Sequence, residues 1–127
     1  MSAEEDPRVP RLAVHVRAIL EELGLDVADP NLAGTDRRVA KLYLEMFHGL
    51  EEGAEPAITT FPNEERYSAM VIEKRIPFYS MCAHHLLPIL GQCWVAVKPT
   101  ERVIGLSKFT RLAQWVLARP HIQEEAV

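Results

Sequence analysis

The sequence predicts an α+β fold, with helices first and an antiparallel sheet after them, on three observations. Apolar residues recur at steps of three and four over residues 9–23 and again over 39–47, the spacing that gathers them on one face of a helix. Between residues 67 and 98 the step changes to two, in runs bounded by Pro and Gly, as strands require. From Ser107 the step returns to three and four.

Taken in order, Val9, Leu12, Ala13, Val16, Ile19, Leu20 and Leu23 make the stripe of the first helix, which stops at Gly24. A loop with Asp29, Pro30, Asn31 and Gly34 leads to Thr35 or Asp36. Either side chain suits the free N–H groups of a helix start. Val39, Leu42, Tyr43, Met46 and Phe47 form the next apolar face, ending at Gly49. Residues 50–65, broken by Gly53, Pro56, Pro62 and Asn63, read as an irregular connection. Residues 67–79 read as a strand, apolar at Met70, Ile72 and Ile76, with Pro77 marking interrupted pairing. Residues 92–98 read as a second, with Cys93, Val95 and Val97 on one face and Trp94 and Ala96 on the other. After a turn at 99–102 and the short apolar run Val103-Ile104, a helix from Ser107 to about Ala118 buries Phe109, Leu112, Ala113, Val116 and Leu117. Pro120 ends it, and residues 121–127 read as the start of a further helix. The organisation is thus a helical region with its connecting loop, 1–66, and a sheet-bearing region, 67–127.

The 127 residues suit one domain with a real core, aided by partner chains. At 48% hydrophobic and 25% charged, with no apolar run long enough to span a bilayer, the composition is that of an ordinary globular protein. The start, Met1-Ser2-Ala3-Glu4-Glu5-Asp6, lacks the basic and apolar segments of a secretory signal, so the cytoplasm is the expected location. A net charge of −4 argues against general nucleic-acid binding, which needs a broad basic surface. An anionic ligand must then meet a local cluster, and two exist: Arg37-Arg38 with Lys41, and Lys108 with Arg111. Arg38 and Lys41 are three apart and share a helix face, although such charges on helices ordinarily just face water.

The densest chemistry lies in Phe78-Tyr79-Ser80-Met81-Cys82-Ala83-His84-His85-Leu86-Leu87-Pro88. Zinc accepts thiolate sulfur and imidazole nitrogen, and a catalytic zinc takes about three protein ligands and keeps one position for water. Cys82 and His85 supply two. His84 stands beside them, where an imidazole that titrates near neutrality carries protons. Two close ligands do not make a site, since a buried Cys is often a small hydrophobe and a His pair often lines a turn. Cys93, the other thiol, reads as a core-facing small residue on a strand.

Residues 76–88, with Val103-Ile104-Gly105-Leu106-Ser107-Lys108 beyond the second strand, closely resemble the signature of the GTP cyclohydrolase I family, and the resemblance runs from about Leu32 to Glu125. It implies a tunnelling fold, in which a four-stranded antiparallel sheet carries two helices and subunits close into rings; only the first two sheet strands are expected here. By the family's Cys-Glu-His-His motif, Cys82 and His85 are implied as zinc ligands and His84 as the catalytic proton donor to the purine imidazole ring. Gly105-Leu106-Ser107-Lys108 matches the family's Gly-Leu-Ser-Lys, which implies that Ser107, Lys108 and, three residues on, Arg111 serve the triphosphate, Ser107 also counting among the catalytic residues. A helix opening at Ser107 supports this independently, because its free N–H groups and dipole favour an anion. Arg38-Val39-Ala40-Lys41 matches the family's Arg-Val-Ala-Lys, implying that Arg38 and Lys41 join the phosphate site, and Gln123-Glu124 resembles the guanine-reading pair, with Glu124 accepting from the purine N–H edge.

The implied reaction is zinc-assisted hydrolysis of the guanine ring of GTP to formate and 7,8-dihydroneopterin triphosphate, at the entry to folate and pterin synthesis. Two departures stand against it. Ala83 replaces the motif's Glu, and the sequence stops before the family's later His-x-Cys motif, which brings another catalytic His and the third zinc ligand. A homo-oligomer, or a complex with a chain carrying that half, is therefore expected as partner, with GTP or a related purine nucleotide as ligand. The rival expectation is an inactive homologue that acts as a nucleotide-binding or assembly module. A nucleobase deaminase would need His-x-Glu and Cys-x-x-Cys motifs, and the sequence has neither.

Overall fold

The apolar stripe at 9–16 becomes the buried side of helix α1 (Arg8–Glu22) in a computed structural model that describes residues 6–126. The acidic start over 1–5 and the final Val127 lie outside the described residues. The chain divides into two compact units after Glu45. In the first, α1 packs with α2 (Thr35–Met46, whose last residue opens the second unit) through Val9, Ala13 and Ala40, with Leu12 and Leu44 against them. Asp6 accepts the Arg8 backbone N–H at 2.8 Å in the first turn of α1. Hydrogen bonds from the Arg8 guanidinium and backbone hold its carboxyl down at about 2. Arg17 on α1 reaches Asp36 on α2 at 3.0 Å.

The second unit is organised by one long strand. β1 (Thr60–Pro62) comes first, then β2 (Val71–Cys82), which pairs antiparallel with β3 (Pro88–Val97) from Val71↔Val97 to Met81↔Pro88. A bulge between Glu73 and Ile76 breaks the register, and Arg75 within it takes a φ of 58°. The side chains of β3 alternate between half-buried and exposed, with Cys93, Val95 and Val97 inward and Trp94 and Ala96 outward, as the period of two requires. β4 (Arg102–Ile104) pairs with β1, and α3 (Ser107–Leu117) follows, burying Phe109 and Leu117. α3 runs beside β2 in the same direction. Thr110 donates to Glu73 at 2.8 Å, Gln114 to the Pro77 carbonyl at 3.0 Å, and Ser80 to the Arg119 carbonyl at 3.0 Å.

Several expectations are corrected. The strands run over 71–82 and 88–97 in place of 67–79 and 92–98, because Pro77 and Pro88 are accommodated within the pairing. Residues 50–65 contain β1 and a 3-10 turn at His48–Leu50 follows α2. Residues 121–126 form no α-helix: β5 (Pro120–His121) pairs with β2, and a short 3-10 helix spans Gln123–Glu125. The β2–β5 pairing is parallel, so among the described residues the sheet has the order β3-β2-β5, three strands in place of the expected two, and β1 and β4 form a separate pair.

Two glycines are required by close approach. Gly91 faces Phe78 across the hairpin, and a Cβ there would lie 2.8 Å from the ring. Gly49 donates its N–H to the Ala118 carbonyl at 2.9 Å, and a Cβ would press on the carbonyl oxygens of Trp115 and Ala118. These are backbone atoms of the end of α3 and cannot swing away. Gly49→Ala is therefore expected to lower stability by about 1–3 kcal/mol, the usual cost of overpacking, seen as a lower thermal midpoint. An unchanged midpoint would show that the 3-10 turn does not dock on α3.

Candidate metal and nucleotide site

β2 delivers Cys82 at its last residue, and the chain then makes one helical turn before β3 begins. Leu86 N–H bonds the Cys82 carbonyl at 2.9 Å, and Cys82 N–H bonds the Leu87 carbonyl at 2.9 Å. Residues three apart on such a turn are neighbours, which places Cys82 Sγ 3.8 Å from His85 Nδ1. A tetrahedral zinc at about 2.3 Å from sulfur and about 2.0–2.1 Å from nitrogen holds its ligands about 3.5 Å apart, so the pair fits a shared metal. Its thiol is pushed below the usual range, foremost by the His85 side chain and then by the backbone N–H groups of His85 and His84, against a small opposing effect of burial. The thiolate is the form that binds metal. Among the described residues no set of three His, Cys, Asp or Glu converges to complete the ligand shell.

His84 is exposed beside the pair, its ring centroid 6.3 Å from that of His85 and nearly perpendicular to it at 71°. Ala83 is exposed, and its N–H bonds the His121 carbonyl at 3.0 Å. His121 is a neighbour that sequence reasoning misses: β5 pairs Cys82 with His121, while His121 Nε2 lies 2.8 Å from the Val116 carbonyl. No spacing rule signals this, because a two-residue parallel strand depends on how α3 returns to the sheet. Gln123 lines a cavity of about 200 Å³ with Phe78, Ser80, Gly91, Leu117 and His121, and Glu124 is exposed next to it. Cys93 lies away from this end, opposite Ile76, and burial raises its thiol.

The basic residues stand elsewhere. Ser107 opens α3 beside Val71, Ile72 and Glu73, and the helix start has no side-chain cap and no acidic residue in its first turn. Lys108 follows, and Arg111, one turn on, lines a cavity of about 310 Å³ with His48, Tyr79, Gln114 and Trp115. Because α3 and β2 run in the same direction, Ser107 and Lys108 lie at the opening end of β2 and Cys82 at its closing end. At about 3.3 Å per residue, Glu73 and Cys82 are about 25–30 Å apart, farther than one nucleotide reaches from base to phosphates. Arg38 and Lys41 belong to the first unit, on α2; Arg38 donates to the Ala33 carbonyl at 2.9 Å and to Thr35 Oγ1 at 2.8 Å.

The family model for GTP cyclohydrolase I matches residues 12–127, nearly the whole chain. The chain belongs to the GTP cyclohydrolase I family. It is similar to the GTP cyclohydrolase 1 of Flavobacterium johnsoniae, 41% identical over 121 residues that are 94% of this chain and 54% of the relative. Against that of Haemophilus ducreyi it is 41% identical over 125 residues, 98% of this chain and 57% of the relative, and against that of Aeromonas hydrophila 43% over 111 residues, 87% and 51%. The chain thus spans about half the length of these GTP cyclohydrolase I relatives. No helix among the described residues is long and apolar enough to cross a membrane.

Proposed function

We propose that this chain is part of a cytoplasmic, zinc-dependent enzyme that opens the guanine ring of GTP, releasing formate and forming 7,8-dihydroneopterin triphosphate. The observation that carries the reading is the Cys82–His85 pair at 3.8 Å, at the motif positions of the family to which the chain belongs. Zinc, when bound there, supplies a water of lowered pKa near neutral pH. Cys82 and His85 are its ligands from this chain, and a third comes from outside the described residues. His84, exposed beside them, would hand a proton to the purine ring nitrogen as water adds to C8, and the C8–N bond of that hydrated carbon then breaks to release formate. Glu124 accepts from the N–H edge of the guanine, next to the cavity lined by Gln123.

Ser107, Lys108 and Arg111, with Arg38 and Lys41, hold the triphosphate in this reading. Since Ser107 and Lys108 at one end of β2 are too far from Cys82 at the other for one nucleotide, those two residues of one copy serve the zinc end of another in this reading, and the protein works as an oligomer. The outer edge of β3, unpaired among the described residues, and the exposed Leu90 and Trp94, 80% and 59% accessible, support association. Replacing Lys108 or Arg111 by Ala is expected to weaken GTP binding by about 1.5–3 kcal/mol per contact while leaving guanosine binding nearly unchanged, because only phosphates meet those charges. Calorimetric titration with both ligands checks this, and equal losses for the two would remove the assignment. Ala83, where the motif has Glu, favours a second reading, a homologue that binds nucleotide or assembles without turnover.

A further inference from the structure

We propose that Leu86 is a positioning residue whose strained backbone sets the spacing of Cys82 and His85; the proposal rests on the zinc reading above. Leu86 has a φ of 53°, in the left-handed region. It closes the turn in the manner of a helix C-terminus, where the bond from its N–H to the Cys82 carbonyl runs back one turn and the closing residue is usually Gly. Here a branched side chain occupies that place. Burial does not account for it, because Leu86 is 45% exposed and Leu87 64%.

The strain follows from the next two residues. Pro88 starts β3 and pairs with Met81, so the chain must reverse between Cys82 and Pro88. The residue before a proline is held near extended conformations, which removes Leu87 as a place to absorb the reversal. The change of direction falls on Leu86. With the reversal taken up at Leu86, residues 83–85 can keep the helical turn that sets Cys82 and His85 on the same side, the sulfur and Nδ1 at 3.8 Å, while Met81 still pairs with Pro88. The cost of the left-handed state at Leu86 thus governs how much of the protein holds the pair ready, and the apparent metal affinity falls with that fraction.

The test is a titration with cobalt(II) of metal-free protein completed by a chain that carries the family's later His-x-Cys segment, read by the thiolate-to-cobalt absorption band, in Leu86→Gly, Leu86→Asn, Leu86→Ala and Leu86→Val. Gly and Asn accept the left-handed region easily, Leu and Ala less so, and the β-branched Val least. Binding is expected to be tightest in Gly and Asn, alike in Ala and wild type, and weakest in Val, with about a tenfold span and an unshifted band, since the ligands are the same. A common midpoint across the series, or an Ala variant as weak as Val, overturns the proposal, the second outcome because it would assign the effect to the side chain. Absence in wild type of any band that depends on Cys82 would instead remove the metal reading, and this one with it.

Discussion

Cys82→Ala protein is expected to purify without zinc, under conditions in which wild type, given its third ligand, retains about one zinc per chain. The effect is all or none because the thiolate is the strongest ligand the chain offers and because only His85 would remain from the turn. The fold gives no reason for collateral damage: Cys82 is half-exposed at the end of β2, and its backbone bonds to Leu87 and Leu86 do not involve the sulfur. Metal analysis together with a thermal midpoint separates the two effects. Zinc content unchanged by the substitution would show that the ion is held elsewhere.

Cys93→Ala provides the contrast. Its thiol is half-buried opposite Ile76, and burial holds it protonated, so its removal should leave zinc content untouched.

The three α-helices and the nearness of Cys82 to His85 were legible in the sequence for simple reasons. Val9, Ala13 and Val16 repeat at helical spacing, and ligand residues three apart on a turn are neighbours whatever surrounds them. What was hidden depends on distant partners. Pro77 read as an interruption of pairing, yet it pairs with Gln92 while its carbonyl accepts from Gln114, and Pro88 opens a strand that the sequence placed four residues later, at a position where a missing N–H costs little. β1 and β5 are three and two residues long and carry no period of their own. The separation of Ser107 and Lys108 from Cys82 was equally invisible, because it follows from the direction in which α3 lies along β2, fixed by Thr110, Gln114 and Ser80. In the sequence the proposed metal residues Cys82 and His85 and the proposed phosphate residues Ser107 and Lys108 stand in two neighbouring motifs. The fold sets them at opposite ends of a strand.

In the proposed reading, that arrangement makes catalysis a property of the completed assembly. The described residues bring Cys82 and His85, the two proposed metal ligands, together with His84 exposed beside them, and hold Ser107 and Lys108, proposed for the triphosphate, at the far end of β2. With no third ligand among them, the 127-residue chain alone is expected to bind GTP but open it slowly or not at all. Supplying a chain that carries the family's later His-x-Cys segment should restore zinc retention and turnover together, since a complete and well-supported ligand set both holds the ion and sets the acidity of its water.

The measurement that bears most directly on the central claim is the release of formate from GTP, followed with the fluorescence of the pterin product, by the 127-residue chain with and without that added segment. The account predicts little product from the chain alone, a rate at least a hundredfold higher (on the order of the 10²-fold contributed by one placed proton donor) when the segment is present, and none in either case with Cys82→Ala. Binding of GTP without formate release in the completed assembly would contradict it and leave a nucleotide-binding module in its place.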